Sequence, residues 1–378
     1  MKKLPGATKV VVIGGGVIGC SIAYFLASKY KQEVVIIERD AVASGASGGA
    51  AGELGAVGRH RYPANFTKFL LDGIKMHDDY ADQLISESGI DYLLSDIPMI
   101  RPAFNEKEAS ELQEQVVWQR ELGLSVDWLD YEQVHSLSSW LSPEAIGAAY
   151  TVERQLEAYP FAIAIAQASE KNGVSIRNAE VKEILYENNR ANGVKLSNGD
   201  EISCGTVVIA NGPWSQFSKE WHDLEIPVIP LRGQIVHSAA PEGMNMPVHA
   251  IFHETGYVLP KPSGDLLIGT TQERAGFDPH PTLEAQNSIM EAVIRLAPAV
   301  IDAPIKDLTA CLRPYCEDEL PIIGAIPNKD SLFIATGHGY KGVTLALVTG
   351  SNVAELIIEG SSTVNLAEFS PSRFQGEA

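Results

Sequence analysis

Basic residues are scarce in this chain. Its 378 residues include 29 Lys and Arg against 48 Asp and Glu, a formal net charge of -19. Nucleic acid binding needs clustered cations to displace the counterions of phosphate, so a nucleic-acid partner is not expected. The same shortage argues against anionic membrane surfaces. Cysteine is scarcer still. Cys20, Cys204, Cys311 and Cys316 form no C-x-x-C pair. That pattern argues against a disulfide framework and a zinc site, and suits the reduced thiols of a cytoplasmic protein. No metal is expected. No apolar run is long enough to span a bilayer, so no integral membrane segment is expected either. The start, Met1-Lys2-Lys3 before an apolar stretch, superficially resembles a secretory signal. Glycines interrupt that stretch, and cleavage would remove the motif described next. With 45% hydrophobic residues the chain can bury the cores of two domains.

Glycine, in contrast, is placed with purpose. Gly14-x-Gly16-x-x-Gly19 directly follows the apolar run Val10 to Ile13. A helix pattern comes next, then a second apolar run, Val34 to Ile37, closed by Glu38. This is the dinucleotide-binding fingerprint in its strand–helix–strand context. Gly14 permits the tight turn, Gly16 lets backbone approach a pyrophosphate, and Gly19 lets helix and strand pack closely. The phosphates would sit on free N–H groups at the helix N-terminus. Glu38 is placed to accept hydrogen bonds from a ribose.

Beyond the fingerprint, Asp40 to Gly58 is a loop of small residues, able to lie close to a flat ligand. Helix periodicity recurs at Phe66–Ser86, Glu106–Leu122, Tyr159–Lys171, Leu283–Leu296 and Val343–Glu359. Short strands are expected at Val174–Ile176, Glu180–Glu187 and Gly193–Leu196. Thr206 to Ala210 is a buried-strand pattern ending in Asn211-Gly212, and Leu332–Thr336 is another strand. From Arg232 to Thr270 the texture is that of an antiparallel sheet. The tail past Ser370 reads as loose. The expected fold is α/β (α+β overall): a Rossmann-like nucleotide domain interleaved with an antiparallel-sheet substrate domain. The first takes residues 1–90, 150–220 and 308–378, the second 91–149 and 221–307.

Four segments carry a resemblance. They are the fingerprint, the small-residue loop, LRPYCEDELPIIG (312–324) and ATGHGYKGVTLALVTG (335–350). Together they resemble the FAD-dependent D-amino-acid oxidase superfamily, in the branch containing glycine oxidase, sarcosine oxidase and D-amino-acid dehydrogenases. The resemblance runs from about Val10 to Glu359. It implies FAD as cofactor. Gly14, Gly16, Val17, Ile18 and Gly19, with Glu38 and Arg39, would hold the pyrophosphate and adenosine ribose. Ala46, Ser47, Ala51, Gly52 and Glu53 would line the phosphates and flavin ring, and Val181 would meet the adenine. Ala210 and Gly212 belong to the same cofactor wall. His338, Gly339, Tyr340, Lys341, Gly342, Val343 and Thr344 would face the pyrimidine edge. There a helix N-terminus favours negative charge on the reduced ring.

On the substrate side the resemblance assigns the Arg of the LRP motif, Arg313, to a carboxylate, which a guanidinium fork matches with two hydrogen bonds. Tyr257 would help to hold the same carboxylate. Arg232, in PLRGQIV, matches a position where relatives carry Arg or Lys near the site; a structural ion pair is the alternative. Tyr340 stands where glycine oxidase uses an Arg, which weakens the case for an identical substrate. Glu53 stands where relatives often have an apolar side chain, and is expected to read a positive charge on the substrate. Cys311 aligns approximately with a cysteine that bonds the flavin covalently in sarcosine oxidases, although its surroundings are closer to the non-covalent glycine oxidase pattern. The implied reaction oxidises a C–N bond beside a carboxylate in a small amino acid, with oxygen, a quinone or a partner protein as final acceptor. A homo-oligomer is compatible with this reading. Open alternatives are a nicotinamide-dependent dehydrogenase, a flavin subunit of a multi-protein dehydrogenase, an RNA-modifying enzyme and a flavin binder without turnover.

Overall fold

A computed structural model describes residues 7–55, 58 and 61–375. Its first sheet grows from the fingerprint strand Ala7–Ile13. That strand pairs in parallel with Val34–Glu38 on one side and Glu201–Ile209 on the other. Leu332–Thr336 extends the sheet beyond Glu201–Ile209, and Ser175–Asn178 extends it beyond Val34–Glu38. Ile322–Ala325 closes one edge antiparallel to Leu332–Thr336. Runs of Val and Ile suit these strands because both faces are covered. Val10 and Val12 pack towards the helices Val17–Ser28, Ala158–Lys171 and Ala346–Glu359. Val11 and Ile13 face the hairpin Val181–Glu187/Arg190–Leu196.

The second sheet has eight strands, ordered Ile305–Cys316, Val228–Ser238, Leu266–Gly269, Gly256–Pro260, Ala250–His253, Ser95–Ala103, Gly147–Gln155 and Val126–Asp130. Every pairing but one is antiparallel; Ala250–His253 runs parallel to Ser95–Ala103. The helix Leu283–Ile294 covers one face through Ile289 and Val293. The other face carries Ile97, Met99, Ile235 and Tyr257 and turns towards the first sheet's small-residue loop.

Some expectations need correction. The boundaries anticipated at 150 and 308 fall inside strands of the second sheet, which takes its residues from 95–155 and 228–316. The strands at 95–103, 126–130 and 147–155 and the short helix Tyr131–Leu137 were not anticipated. The last helix begins at Ala346, after a 3-10 turn at Gly339–Lys341. The tail is packed rather than loose as far as Gln375. Phe369 is fully buried, and Arg373 donates to Asp318 at 2.9 Å and to the carbonyl of Leu320 at 3.1 Å.

The fingerprint glycines do what their spacing requires. Gly14 takes a positive φ of 112° at the turn. A Cβ on Gly19 would overlap the carbonyl oxygen of Gly14. Gly19→Ala is therefore expected to destabilise the apoprotein by about 1–3 kcal/mol through overpacking. Urea unfolding of the two apoproteins measures this, and an unchanged midpoint would contradict the close-packing role.

Candidate active site

Between the two sheets lies a cavity of about 740 Å³ lined by residues from both. At one end the helix Val17–Ser28 begins at Gly16 with no side-chain cap and no acidic residue in its first turn. The Val17 N–H donates to Ser47 Oγ at 3.0 Å. A buried helix start with spare N–H groups is a ready anion site. Glu38 is fixed beside it, accepting from the N–H of Gly15 at 2.7 Å and of Asp40 at 2.8 Å. The Arg39 guanidinium lies 4.9 Å from the centre of the Trp214 ring.

The wall contains Gly14, Gly16, Val17, Ile18, Glu38 and Arg39, then Ala46, Ser47, Ala51, Gly52 and Glu53. Val181, Ala210, Gly212 and the run His338 to Val343 complete it. Gly19 and Thr344 do not line it. Gly19 lies behind Gly14, and Thr344 is buried. The His338 ring accepts or donates at Thr349 Oγ1, 3.1 Å away, and burial pushes its pKa down to about 3. Burial therefore disfavours a proton on this ring, and Thr349 engages one of its nitrogens.

Arg313 lies on the cavity face of the strand Ile305–Cys316. Its Nη2 donates to Thr270 Oγ1 at 2.9 Å and its Nη1 to the carbonyl of Thr271 at 3.1 Å. The Tyr340 ring centre is 5.1 Å from the guanidinium carbon. On the neighbouring strand, two residues beyond Leu231, which pairs with Arg313, Gly233 lies under the guanidinium, where a Cβ would overlap it. A guanidinium has five N–H donors, so several remain for a ligand. Tyr257 lines the same cavity, stacked on Phe252 with ring centres 4.8 Å apart. Burial pushes its phenol pKa well up, so the hydroxyl stays a donor.

Arg232 does not line the cavity. In the strand register Leu231 pairs with Arg313 and Arg232 with Leu312, so the two arginines point to opposite faces. Arg232 is buried in ion pairs with Glu273 at 2.6 Å and Asp278 at 2.9 Å. Glu53 does line the cavity, but it already has partners. It meets the Glu153 side chain, with Lys341 and Arg101 close by. Arg101 Nη2 donates to Glu153 Oε1 at 2.6 Å, and Lys341 Nζ donates to the carbonyl of Gly55 at 2.9 Å. Burial opposes ionisation of Glu53, but the bond from Glu153 and the two cations overcome it and lower its pKa. Burial raises the pKa of Glu153, with Arg101 opposing and Glu53 adding to the rise. Burial thus favours a proton on Glu153, while Arg101 and Lys341 supply positive charge beside Glu53.

Four contributors were missed in the sequence: Arg101, Glu153, Lys261 and Thr270. None sits in a motif. Arg101 and Glu153 come from strands that were not anticipated. Lys261 donates to the carbonyls of Ala51 and Leu156, both at 2.8 Å, and burial pushes its pKa down to about 8. It ties the small-residue loop to the second sheet.

The family model for FAD dependent oxidoreductases (DAO) matches residues 9–356. The chain belongs to this family. It is 30% identical over 372 residues to the glycine oxidase of Geobacillus kaustophilus, covering 97% of each chain. It is 26% identical to the hydrogen cyanide synthase subunit HcnC of Pseudomonas aeruginosa, over 97% of this chain and 96% of that one. Among solved structures it resembles glycine oxidase from Geobacillus kaustophilus, with a TM-score of 0.92 at 29% identity over 98% of this chain and 100% of that one. Glycine oxidase from Bacillus cereus gives 0.88 at 31% identity with the same coverage. This chain is an FAD-dependent oxidoreductase, and the uncapped helix start, the pinned Glu38 and the small-residue wall fit that cofactor. Among the described residues no cluster of side chains could hold a metal, and no helix is long and apolar enough to cross a membrane.

Two measurements follow from this geometry. Cys311 is buried, its pKa is raised by burial, and a Cβ on Gly49 would lie 2.7 Å from its own Cβ. Such a protonated thiol is a poor nucleophile. Acid precipitation should leave all the yellow colour in the supernatant; colour in the pellet would contradict a non-covalent flavin. The raised pKa of Glu153 stabilises the fold at acid pH, and that contribution is lost as pH rises above the ordinary carboxylate range. Glu153→Gln should flatten the dependence of melting temperature on pH between about 5 and 9. An unchanged slope would mean that the pair shares no proton.

Proposed function

We propose that the enzyme oxidises the C–N bond of a small amino acid, with the carboxylate held by Arg313 and Tyr257. The observation that carries this reading is the Arg313 guanidinium, fixed in the cavity wall by Thr270 and Thr271 with donors to spare. FAD, when bound, supplies the two-electron acceptor. The chain's own residues orient the substrate. Arg313 takes both carboxylate oxygens, and the Tyr257 hydroxyl adds a donor. The substrate amine reacts in its neutral form, and its lone pair becomes the second C=N bond as the Cα hydrogen leaves with the electron pair. Water then hydrolyses the imino acid to an oxo acid and ammonia or an amine. His338 is neutral but faces Thr349, so it supplies no base. Orientation rather than proton abstraction by the protein accounts for the rate.

The glycine oxidase names of the relatives support glycine or another small amine acid as substrate, and oxygen as acceptor. Tyr340 narrows the Arg313 side with an aromatic ring. A second reading has support from the HcnC match, a protein named as a subunit: reduction by substrate here, with electrons passed to a partner. Four free thiols support a cytoplasmic setting for either.

The test mixes the yellow protein with glycine, sarcosine, proline and D-amino acids without oxygen while absorbance is followed. Bleaching by one of them is expected; bleaching by none would overturn the reading. Readmitted air then separates oxidase from partner-dependent dehydrogenase. Arg313→Lys should raise KM for the bleaching substrate by at least about tenfold, because a point charge replaces a bidentate fork.

A further inference from the structure

Arg232 has no access to the cavity, yet it is tied to Arg313 by a short chain of contacts. Its Nε and Nη2 both donate to Glu273 Oε2, at 3.2 and 2.6 Å. Its Nη1 donates to Asp278 Oδ2 at 2.9 Å and to the carbonyl of His280 at 3.0 Å. The backbones of Arg232 and Glu273 exchange two hydrogen bonds of 2.9 Å. The other Glu273 oxygen, Oε1, accepts from Thr271 Oγ1 and from Gln234 Nε2. Gln234 closes the far end, its Oε1 accepting the N–H of Thr282 at 2.7 Å. The segment 270–273 is thereby pinned along the strand Val228–Ser238. Thr270 Oγ1 and the Thr271 carbonyl are the two polar acceptors that hold the Arg313 guanidinium.

We propose that Arg232 is a positioning residue for Arg313: through Glu273 it fixes the Thr270–Thr271 segment, and so fixes the fork that receives the substrate carboxylate. This rests on the carboxylate reading of Arg313 given above. The physical case is one of preorganisation. An Arg side chain left to itself samples many rotamers, and ordering it on binding subtracts from affinity. Here two acceptors, a glycine floor and the Tyr340 ring limit the guanidinium, and two of those four restraints belong to the segment that Arg232 clamps. The clamp is largely desolvated on the Arg232 side, with only 8% of that side chain exposed, so removing one partner leaves a buried charge unpaired.

The experiment uses the FAD-loaded enzyme and two probes, glycolate as a carboxylate ligand read from the flavin spectrum, and glycine set against glycinamide as substrates. Arg232→Lys and Glu273→Gln keep size and much of the packing; Arg232→Met removes the fork, and if it does not fold the first two carry the test. The expected result is glycolate binding weakened about tenfold. KM for glycine should rise in parallel, with the reduction rate at saturation little changed. The preference for glycine over glycinamide should shrink, because a blurred carboxylate site loses discrimination for charge. In an Arg313→Met background the same substitutions should add no further loss, the mark of residues acting through one another. A purely structural role would lower melting temperature and saturating rate while leaving the glycine to glycinamide ratio intact, and that result overturns the proposal. Equal glycolate affinity in wild type and every Arg232 or Glu273 variant also overturns it. If glycolate fails to bind the wild-type enzyme at all, the carboxylate reading of the cavity falls, and this proposal with it.

Discussion

The register between the strands Val228–Ser238 and Ile305–Cys316 decides which arginine faces the cavity. Leu231 lies opposite Arg313 and Gly233 opposite Cys311, so that one face of the pair bears the guanidinium, the glycine floor and the thiol. A slip of one residue between them would bring both arginines to the same face, so that one of them would lose its own partners. The pairing runs through most of both strands, and the ion pairs of Arg232 reward only one register. The buried salt bridge on one side and the cavity-facing arginine on the other are consequences of the same alternation.

This alternation also shows how far the sequence could be read. The fingerprint was legible because its chemistry is local. Three glycines, two apolar runs and an acidic end lie within one short stretch, and each glycine has a backbone reason for being there. The helices with clear periodicity came within a few residues of their observed ends, and Leu332–Thr336 matches the observed strand. Arg313, singled out by its motif, does line the cavity. Arg232 was placed near the site because proximity along PLRGQIV says nothing of the face a strand presents. That is set by the partner strand, some eighty residues away. The strands at 95–103 and 147–155 were missed for a related reason. Pro98 and Pro102 interrupt the first, and the second mixes Ala and Gly with charged Glu153 and Arg154, so neither shows the run of branched residues that marks a strand. Their pairing with each other sustains them.

The carboxylate of Glu53 illustrates the same limit in electrostatic form. Alone in sequence it demands an external cation. In the fold, three groups from distant stretches, Arg101, Glu153 and Lys341, converge on it. Gathering four ionisable groups, Arg101 buried and the other three half-buried, is tolerable because opposite charges face one another and burial favours a proton on the second carboxylate. The cluster spans the two sheets' elements: Glu53 and Lys341 belong to loops of the first unit, Arg101 and Glu153 to strands of the second. It therefore also fastens the small-residue loop to the second sheet.

Lys261 makes a second fastening of that kind, from a strand end of the second sheet to the carbonyls of Ala51 and Leu156. The small-residue loop has little side chain with which to hold itself, since Gly, Ala and Ser were needed to keep it thin against a flat ligand. Its order must then come from outside. A lysine ammonium that caps the carbonyl of Ala51, and Glu153 and Arg101 beside Glu53, provide that order from the second sheet. The asymmetry of the cavity follows: one wall is largely bare backbone from the small-residue loop, and the other is a stiff sheet bearing charged and aromatic side chains. The order of the sheet wall depends on regular strand geometry, and that of the loop wall on polar anchors placed behind it, so the two walls are ordered by different physics although they meet across one cavity.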